Sequence, residues 1–154
     1  MTGSDDPLPP AADGDSGGPD YLAAVLALGA GTMGEHMGLE IHEASPTRVV
    51  GSIPVAKNTQ PYGLLHGGAS VALAETLGSF GSALHAGADR VAVGIEINAT
   101  HHRTASSGRV TGVATPVQLG RTLATWEVVV TDEQGRRVCT SRITCLLRDA
   151  VPGS

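Results

Sequence analysis

The sequence predicts an α+β protein in which a mainly antiparallel sheet packs against one long helix. One long helical pattern covers residues 66 to about 85; two strand-like segments precede it, and four follow it with no helix between them. Strands that follow one another without helices favour antiparallel pairing, because parallel pairing needs long crossover connections. The chain has 154 residues with 41% hydrophobic but only 3% aromatic content, which predicts one domain with a core of small aliphatic side chains.

The spacing of apolar residues predicts each element in turn. Residues 21–30 form an apolar run typical of a short helix. Residues 39–55 alternate around Pro46, which indicates two strands joined by a turn, and residues 56–64 resemble a loop. The last four strands are expected at residues 91–97, 109–115, 123–131 and 138–147, with a turn at 133–136.

The negative charge of the chain is concentrated at its beginning. Residues 1–20 contain five aspartates and no lysine or arginine, and the net charge of the whole chain is also −5. The rest is therefore electrically balanced, which argues against a nucleic-acid-binding protein. We expect residues 1–20 to be a disordered tail, because they are rich in proline and glycine and poor in apolar side chains. The folded domain is expected at 21–149, followed by a short tail at 150–154.

No segment of the sequence matches a signal peptide or a membrane span, so we expect a cytoplasmic protein. The two cysteines lie on the last predicted strand, where Cys139, Ile143, Cys145 and Leu147 share one face. Six residues of strand separate the cysteines by roughly 20 Å, which excludes a disulfide between them within that strand.

Glu75 is the one acidic residue between Val71 and Leu84, in a helix that otherwise looks buried on all sides. One interpretation is an exposed helix face with a solvated carboxylate. The other is burial, which would raise the pKa of the carboxyl group and suit it to act as an acid, a base or a nucleophile. Neighbouring residues decide between the two.

The segment at residues 60–68 brings two glycines to the first turn of this helix. Backbone N–H groups are unpaired there and the helix dipole favours negative charge, so the turn can hold a developing oxyanion. Alternatively, the glycines allow a tight entry and His66 caps the helix. His66 and Glu75 lie about 180° apart around the helix and about 13 Å apart along it. They can share one site only if two antiparallel copies of the helix meet, which predicts a dimer.

Three weaker motifs are given structural interpretations. The G-x-G-x-x-G pattern that begins at Gly29 follows a helical run, whereas a dinucleotide site needs a strand before it. Residues 68–72 lack the last glycine of a nucleophile elbow, so Ser70 is expected to be an ordinary helix residue. His101 and His102 are neighbours on a strand and point to opposite faces, so they do not predict a metal site.

The string GLLHGGASVALAETLGS at residues 63–79 strongly resembles the hotdog-fold acyl-CoA thioesterases of the phenylacetate-degradation and 4-hydroxybenzoyl-CoA type. Residues 93–105, 108–120 and 131–144 are especially similar to the bacterial 1,4-dihydroxy-2-naphthoyl-CoA hydrolases of menaquinone biosynthesis. The similarity covers roughly residues 33–148. It implies a hotdog fold, a six-stranded antiparallel sheet wrapped around a long central helix. It also implies dimers with a continuous sheet and often tetramers.

The resemblance implies catalytic roles for individual residues. Glu75 takes the position of the catalytic carboxylate, which acts as a nucleophile or as a general base for water. Gly67 takes the position whose backbone N–H polarises the thioester carbonyl, with His66 and Gln60 as its polar neighbours across the dimer. Ser79 is either a helper for the attacking water or substrate, or a small packing residue.

The resemblance also implies positions for coenzyme A on the third strand, at its exit and in the next loop. Arg103 and Arg121 are natural partners of phosphate, or alternatively ordinary surface charges. The sequence departs from the closest pattern at His102 and at residues 121–123. The implied positions are Gly94, His101, His102, Arg103, Thr104, Gln118, Leu119, Gly120, Arg121, Thr122 and Leu123.

The sequence thus predicts hydrolysis of an acyl-CoA thioester, in particular an aryl-CoA such as 1,4-dihydroxy-2-naphthoyl-CoA. The reaction needs no metal and no redox cofactor, and no partner other than the substrate and a second copy of the chain. Two alternatives stay open, a hotdog hydratase or dehydratase and a non-catalytic acyl-CoA-binding protein. Generic apolar residues are the candidates for the acyl pocket: Met33, Met37, Phe80 and Leu84.

Overall fold

The computed structural model describes residues 20–29 and 31–150. Within these residues the order of elements is that expected of the predicted α+β class, with an additional short helix. The helices are α1 (Tyr21–Gly29), α2 (Met33–His36) and α3 (Gly67–Ala86). The strands are β1 (Glu40–Ser45), β2 (Arg48–Pro54), β3 (Arg90–His101), β4 (Arg109–Leu119), β5 (Leu123–Thr131) and β6 (Arg137–Asp149).

The six strands form one antiparallel sheet in the order β1-β2-β4-β5-β6-β3. The first and the third strand of the sequence are therefore its two edges. The long helix α3 contacts all six strands, so the sheet wraps around it. This arrangement confirms the predicted sheet and its central helix.

The core lies between α3 and the inner face of the sheet. Leu73, Ala74 and Leu77 of α3 are buried against valine and isoleucine side chains from the strands. The predicted inner face of β6 is confirmed, because its four members are all buried. They are Cys139, Ile143, Cys145 and Leu147.

Two glycines let α3 approach the sheet closely. A Cβ atom at Gly81 would lie 2.5 Å from Cη2 of Trp126, and a Cβ atom at Gly78 would overlap the Cγ2 methyl group of Ile143. Trp126 is fully buried on β5, and Ile143 is its register partner on β6. The space that side chains at Gly78 and Gly81 would need is thus filled by Ile143 and by Trp126, the largest fully buried side chain.

The edge strand β3 carries a bulge between Gly94 and Glu96. Before the bulge, Ala92 and Gly94 face α3; after it, Ile97, Ala99 and His101 do so. Ile95, the additional residue, is 57% exposed. The bulge therefore changes which residues of β3 point towards the helix.

The structure adds one helix to the prediction and extends two strands. The strand expected at 91–97 spans Arg90–His101 as β3. The short helix α2 was missed, because four residues between glycines carry no periodic signal. The strand expected at 109–115 continues as β4 to Leu119, with a bulge between Pro116 and Gln118 that accommodates the missing N–H of proline. Gln118, Leu119 and Leu123 are accordingly strand residues, and only residues 120–122 form the connection.

The ends of the predicted domain also differ slightly. Asp20, assigned to the tail, accepts a hydrogen bond from the Ala23 N–H at 2.9 Å and so begins α1. Ala150, assigned to the second tail, donates its N–H to the Asp89 carbonyl at 3.1 Å. The expectations for residues 1–19 and 151–154 lie outside the described residues. Among the helices that the structure describes, none has the length and apolar character of a membrane-crossing segment.

Replacing Gly81 with valine should destabilise the protein by about 1–3 kcal/mol, because the new side chain collides with the buried indole. The matched control is Gly29→Ala, where a Cβ atom would meet Phe80 at an ordinary 3.8 Å. Urea unfolding followed by the fluorescence of the single tryptophan measures both free energies of unfolding. Equal stability of the two variants would contradict the packing described for α3.

Candidate active site

The first turn of α3 presents one unpaired backbone donor. His66 caps the helix, since its Nδ1 accepts a hydrogen bond from the Gly68 N–H at 2.8 Å and its carbonyl accepts from the Ala69 N–H at 2.9 Å. The hydrogen bonds among the described residues leave the Gly67 N–H without an acceptor. This N–H and the positive end of the helix dipole can therefore polarise a carbonyl oxygen.

The loop before α3 is held in place mainly by its backbone. Leu65 donates its N–H to the Ala105 carbonyl at 2.7 Å, and His66 donates to the Asn58 carbonyl at 2.8 Å. Gln60 closes the turn within the loop: its N–H donates to the Leu64 carbonyl at 2.8 Å, and its Oε1 accepts from the Tyr62 N–H. The position of the Gly67 donor is thus fixed before any substrate arrives.

A cavity of about 400 Å³ opens at this end of the helix. The ring of His101 forms one wall, so close that a Cβ atom at Gly67 would lie 2.9 Å from its Nε2. Only glycine fits there without movement of the histidine. His102, beside it, has its Nε2 2.9 Å from Oγ1 of Thr140. The cavity is lined by Gln60, Leu65, Gly67, Ser70, His101, His102, Arg103, Thr104, Ala105 and Val138.

Glu75 lies half-buried in the middle of α3, which favours the second interpretation of this carboxylate. Burial raises the pKa of the Glu75 carboxyl group above its ordinary value. Its Oε1 lies directly against Gly94 of β3, and a Cβ atom at that position would collide with it. Gly94, expected to contact coenzyme A, therefore provides the space that the Glu75 carboxylate occupies.

The predicted site residues fall into three groups within one chain. The first surrounds the Gly67 N–H, and the second consists of Glu75, Gly94 and Ser79, one helical turn after the carboxylate. Gly67 and Glu75 are separated by about 12 Å along the helix. One chain therefore does not bring its own donor and its own carboxylate together.

The third group lies at the opposite end of α3. His85, in the last turn, places its Nε2 3.0 Å from the Gly120 carbonyl, and the Thr122 carbonyl accepts from the Leu147 N–H at 2.8 Å. The connection at 120–122 is thus about 27 Å from Gly67 along the helix axis. Arg103 and Arg121 are both exposed, and they lie near opposite ends of α3.

Two residues that sequence analysis did not assign to the site lie beside the second group. Ser82 follows Glu75 and Ser79 on the same side of α3, and Cys145 is the register partner of Gly94. Both side chains are fully buried. The i, i+4, i+7 spacing of Glu75, Ser79 and Ser82 is the signal that could have revealed the first of them. The position of Cys145 beside Gly94 could be found only from the register of the sheet.

Comparisons with known proteins show the family to which the chain belongs. Residues 62–139 match the thioesterase superfamily. The chain is 49% identical over 124 residues to the proofreading thioesterase EntH of Cronobacter turicensis, which covers 80% of this chain and 90% of that protein. It belongs to the thioesterase superfamily. The EntH proofreading thioesterase of Klebsiella pneumoniae is also 49% identical, over 123 residues that cover 79% of this chain and 90% of the relative.

Solved structures of thioesterases share the fold. A thioesterase from Haemophilus influenzae superimposes with a TM-score of 0.78 at 37% identity, covering 82% of this chain and 90% of that one. A mutant thioesterase from Pseudomonas aeruginosa superimposes with a TM-score of 0.79 at 38% identity, covering 86% and 96%. The fold of this thioesterase is therefore the predicted hotdog fold. The protein is an enzyme that hydrolyses thioesters.

The raised pKa of Glu75 makes the stability of this thioesterase depend on pH. Between the ordinary carboxyl pKa and the raised one, the folded chain binds more protons than the unfolded chain, so stability falls as pH rises through that window. Glu75→Gln should therefore raise the thermal midpoint at neutral pH and leave it unchanged below the window. The exposed residue Glu127, replaced by glutamine, is the control. Thermal unfolding of both variants across pH measures the effect, and an equal gain at every pH would argue against it.

Proposed function

We propose that the protein hydrolyses an acyl-CoA thioester to the free acid and coenzyme A, at a site shared by two chains. Glu75 of one chain and the Gly67 N–H of the second act on the same thioester. The observation that carries this proposal is that one helix holds an unpaired N–H and a half-buried carboxylate at separate points. When two copies of the helix lie antiparallel, the Gly67 N–H of each chain lies near the Glu75 carboxylate of the other chain.

The chemistry follows from these two groups. The Gly67 N–H donates to the carbonyl oxygen of the thioester and stabilises the negative charge that forms there, a contribution of roughly 3–4 kcal/mol for one such donor. Glu75 attacks the carbonyl carbon to give a mixed anhydride, or takes a proton from the water that attacks it. In both routes the thiolate of coenzyme A leaves and the acyl group takes up a hydroxyl group from water.

The edge strand β3 supports assembly into a dimer. It pairs with β6 on one side, and Val91, Val93 and Ile95 are exposed along it. Long apolar edge strands invite pairing with another chain. Antiparallel pairing of two copies of β3 would extend the sheet continuously and place the two α3 helices side by side in opposite directions.

The outer face of the sheet supports a further assembly step to a tetramer. Val93, Leu146 and Leu123 are aligned by register across β3, β6 and β5, and they are 43%, 38% and 44% exposed. A row of apolar side chains on the face that α3 does not cover is suited to packing against a second dimer.

We place coenzyme A across the same dimer. Opposed helices would bring the strand exit with Arg103 from one chain towards the connection with Arg121 from the other, and guanidinium groups suit the phosphates of the nucleotide. A cytoplasmic location is part of the proposal.

The acyl group is proposed to be aromatic, with 1,4-dihydroxy-2-naphthoyl-CoA as the first candidate from the sequence similarity. Phe80 lines a groove of about 280 Å³ together with apolar side chains of α1 and β1 and with the polar residues Thr32 and Glu35. Its apolar part suits an apolar acyl group. A proofreading role is the second candidate, favoured by the names of the relatives at 49% identity. Membership of the superfamily supports hydrolysis over the hydratase and the non-catalytic alternatives.

Release of free thiol from a panel of aryl-CoA and alkyl-CoA thioesters tests the reaction and the acyl group together. The panel includes 1,4-dihydroxy-2-naphthoyl-CoA. Glu75→Gln should lower kcat by about 10²-fold or more, because the amide neither attacks nor accepts the proton. For the intact protein, kcat/KM should fall at low pH with a midpoint above the ordinary glutamate pKa, because only the ionised carboxylate acts.

The control for this panel is Glu127→Gln, which replaces an exposed carboxylate on the outer face of β5 and should leave release unchanged. Release that survives Glu75→Gln would remove Glu75 from the mechanism. A folded protein that releases no thiol from any member of the panel, but adds water to the acyl group of an intact thioester, would favour the hydratase alternative.

Mixing two inactive variants tests whether the site is shared. Gly67→Val disturbs the site around the Gly67 N–H, because the new side chain collides with His101. Glu75→Gln removes the carboxylate. After unfolding and refolding together in equal amounts, mixed dimers hold one site with both intact groups. Activity should return to about a quarter of the wild-type value per chain. A site built within one chain predicts no recovery.

A further inference from the structure

The turn that connects β4 and β5 is hydrogen-bonded to the rest of the chain at two points. On the side of β6, the Thr122 carbonyl accepts a hydrogen bond from the Leu147 N–H at 2.8 Å. On the side of α3, the Gly120 carbonyl lies 3.0 Å from Nε2 of His85. Arg121 lies between the two bonded residues, so both bonds together fix the backbone from which its side chain extends.

The bond on the side of α3 depends on a side chain. A carbonyl oxygen only accepts hydrogen bonds, so Nε2 of His85 carries the hydrogen and donates it to Gly120. The hydrogen bonds among the described residues give this carbonyl no other donor. The N–H of Gly120 is used within the turn, where it donates to the Leu123 carbonyl at 2.8 Å. His85 is therefore the side chain that sets the position of the turn relative to α3.

The guanidinium group of Arg121 is available to bind an anion. Its side chain is exposed, and within the part of the chain that the structure describes it forms no ion pair. An arginine on a flexible turn loses conformational freedom when it binds a ligand, which weakens binding. A turn that is hydrogen-bonded on both sides has already lost part of this freedom. The bond from His85 therefore favours binding of an anion by Arg121.

The distance of this turn from the carboxylate suits the nucleotide end of coenzyme A. His85 follows Glu75 by ten residues, which is about 15 Å along the axis of α3. The phosphates of coenzyme A are joined to the sulfur through the long pantetheine arm, so they lie far from the reacting carbonyl. At this distance His85 takes no direct part in the reaction.

We propose that His85 is a positioning residue for coenzyme A: its hydrogen bond to the Gly120 carbonyl holds the turn from which Arg121 binds a phosphate group. His85 does not touch the ligand and acts only through Arg121. The identity of the ligand rests on the proposed function, whereas the hydrogen bond that holds the turn does not.

Two thioesters with the same acyl group separate recognition of the nucleotide from the reaction. One is the thioester of coenzyme A, and the other is the thioester of pantetheine, which has the thiol but none of the phosphates. His85→Ala should raise KM for the CoA thioester about fivefold and change kcat by less than about twofold, with both constants for the pantetheine thioester unchanged. His85→Gln, whose amide N–H can reach the same carbonyl, should restore most of the loss.

Arg121→Ala and the double variant His85→Ala/Arg121→Ala test whether the histidine acts through the arginine. KM of the double variant for the CoA thioester should be no higher than that of Arg121→Ala alone. A further rise of KM in the double variant would overturn the proposal. An equal rise of KM for both thioesters in His85→Ala would do the same, because the pantetheine thioester carries no phosphate.

His42→Ala is the matched control. It removes another imidazole whose Nε2 forms a hydrogen bond, at 2.8 Å to Oγ of Ser52, from the edge strand β1. It should leave KM for both thioesters within about twofold of the wild type. A rise of KM for the CoA thioester as large as that in His85→Ala would contradict the role given to His85.

Binding of coenzyme A itself tests the proposal without turnover. Isothermal titration calorimetry should give a dissociation constant about fivefold higher for His85→Ala than for the wild type, and an unchanged one for His42→Ala. Weaker binding in His85→Ala would support the proposal even if no thioester of the panel is hydrolysed. Equal binding in the two variants, or no binding to the wild type, would overturn it even in an active enzyme.

Hydrogen exchange measured by NMR tests the position of the turn. The Leu147 N–H, which is bonded to the Thr122 carbonyl, should exchange faster in His85→Ala, because the turn opens more often. The Leu65 N–H, which is bonded to the Ala105 carbonyl at 2.7 Å, should exchange at an unchanged rate. Unchanged exchange at Leu147 would overturn the positioning role of the histidine.

Discussion

The close approach of α3 to the sheet is the constraint on which the rest of the structure depends. Gly78 and Gly81 let the helix sit on Ile143 and Trp126, where any larger side chain would lift it. The height of the helix above the sheet then decides what its other residues meet. Glu75 reaches Gly94 and Gly67 reaches the ring of His101 only because the two layers are this close.

The candidate site is built largely from absent side chains. Gly67 leaves room for a histidine ring, Gly94 leaves room for a carboxylate, and Gly68 leaves room for the ring of His66 that caps the helix. Such a site needs few polar residues, which explains how a chain with 16% charged residues carries chemistry. Each of these three glycines is required because a side chain occupies the space that its own Cβ atom would need, and not because of its backbone angles.

The sequence predicted the parts of this protein that depend on local pattern. The central helix, the strand order along the chain and the inner face of β6 follow from periodicity. A single charge in an apolar helix left two interpretations of Glu75 open, and the catalytic role expected for it comes from the resemblance of residues 63–79. The partnership of Gly94 with Glu75 was not predictable, because it depends on the register of β3 against α3. The reach of β4 beyond Pro116 was missed for a related reason, since a bulge leaves no mark in the apolar alternation.

The bulge in β3 makes the length of that strand as important as its composition. Residues of even number face the helix before it and residues of odd number after it, so a single strand offers both Gly94 and His101 to α3. A straight strand of the same residues would turn one of the two towards solvent. Loss of Ile95 would remove the bulge and leave Gly94 and His101 both facing α3, because the ladder with β6 already skips this residue. The odd spacing between residues 94 and 101 therefore requires the bulge, and this irregularity of the ladder is part of the active site.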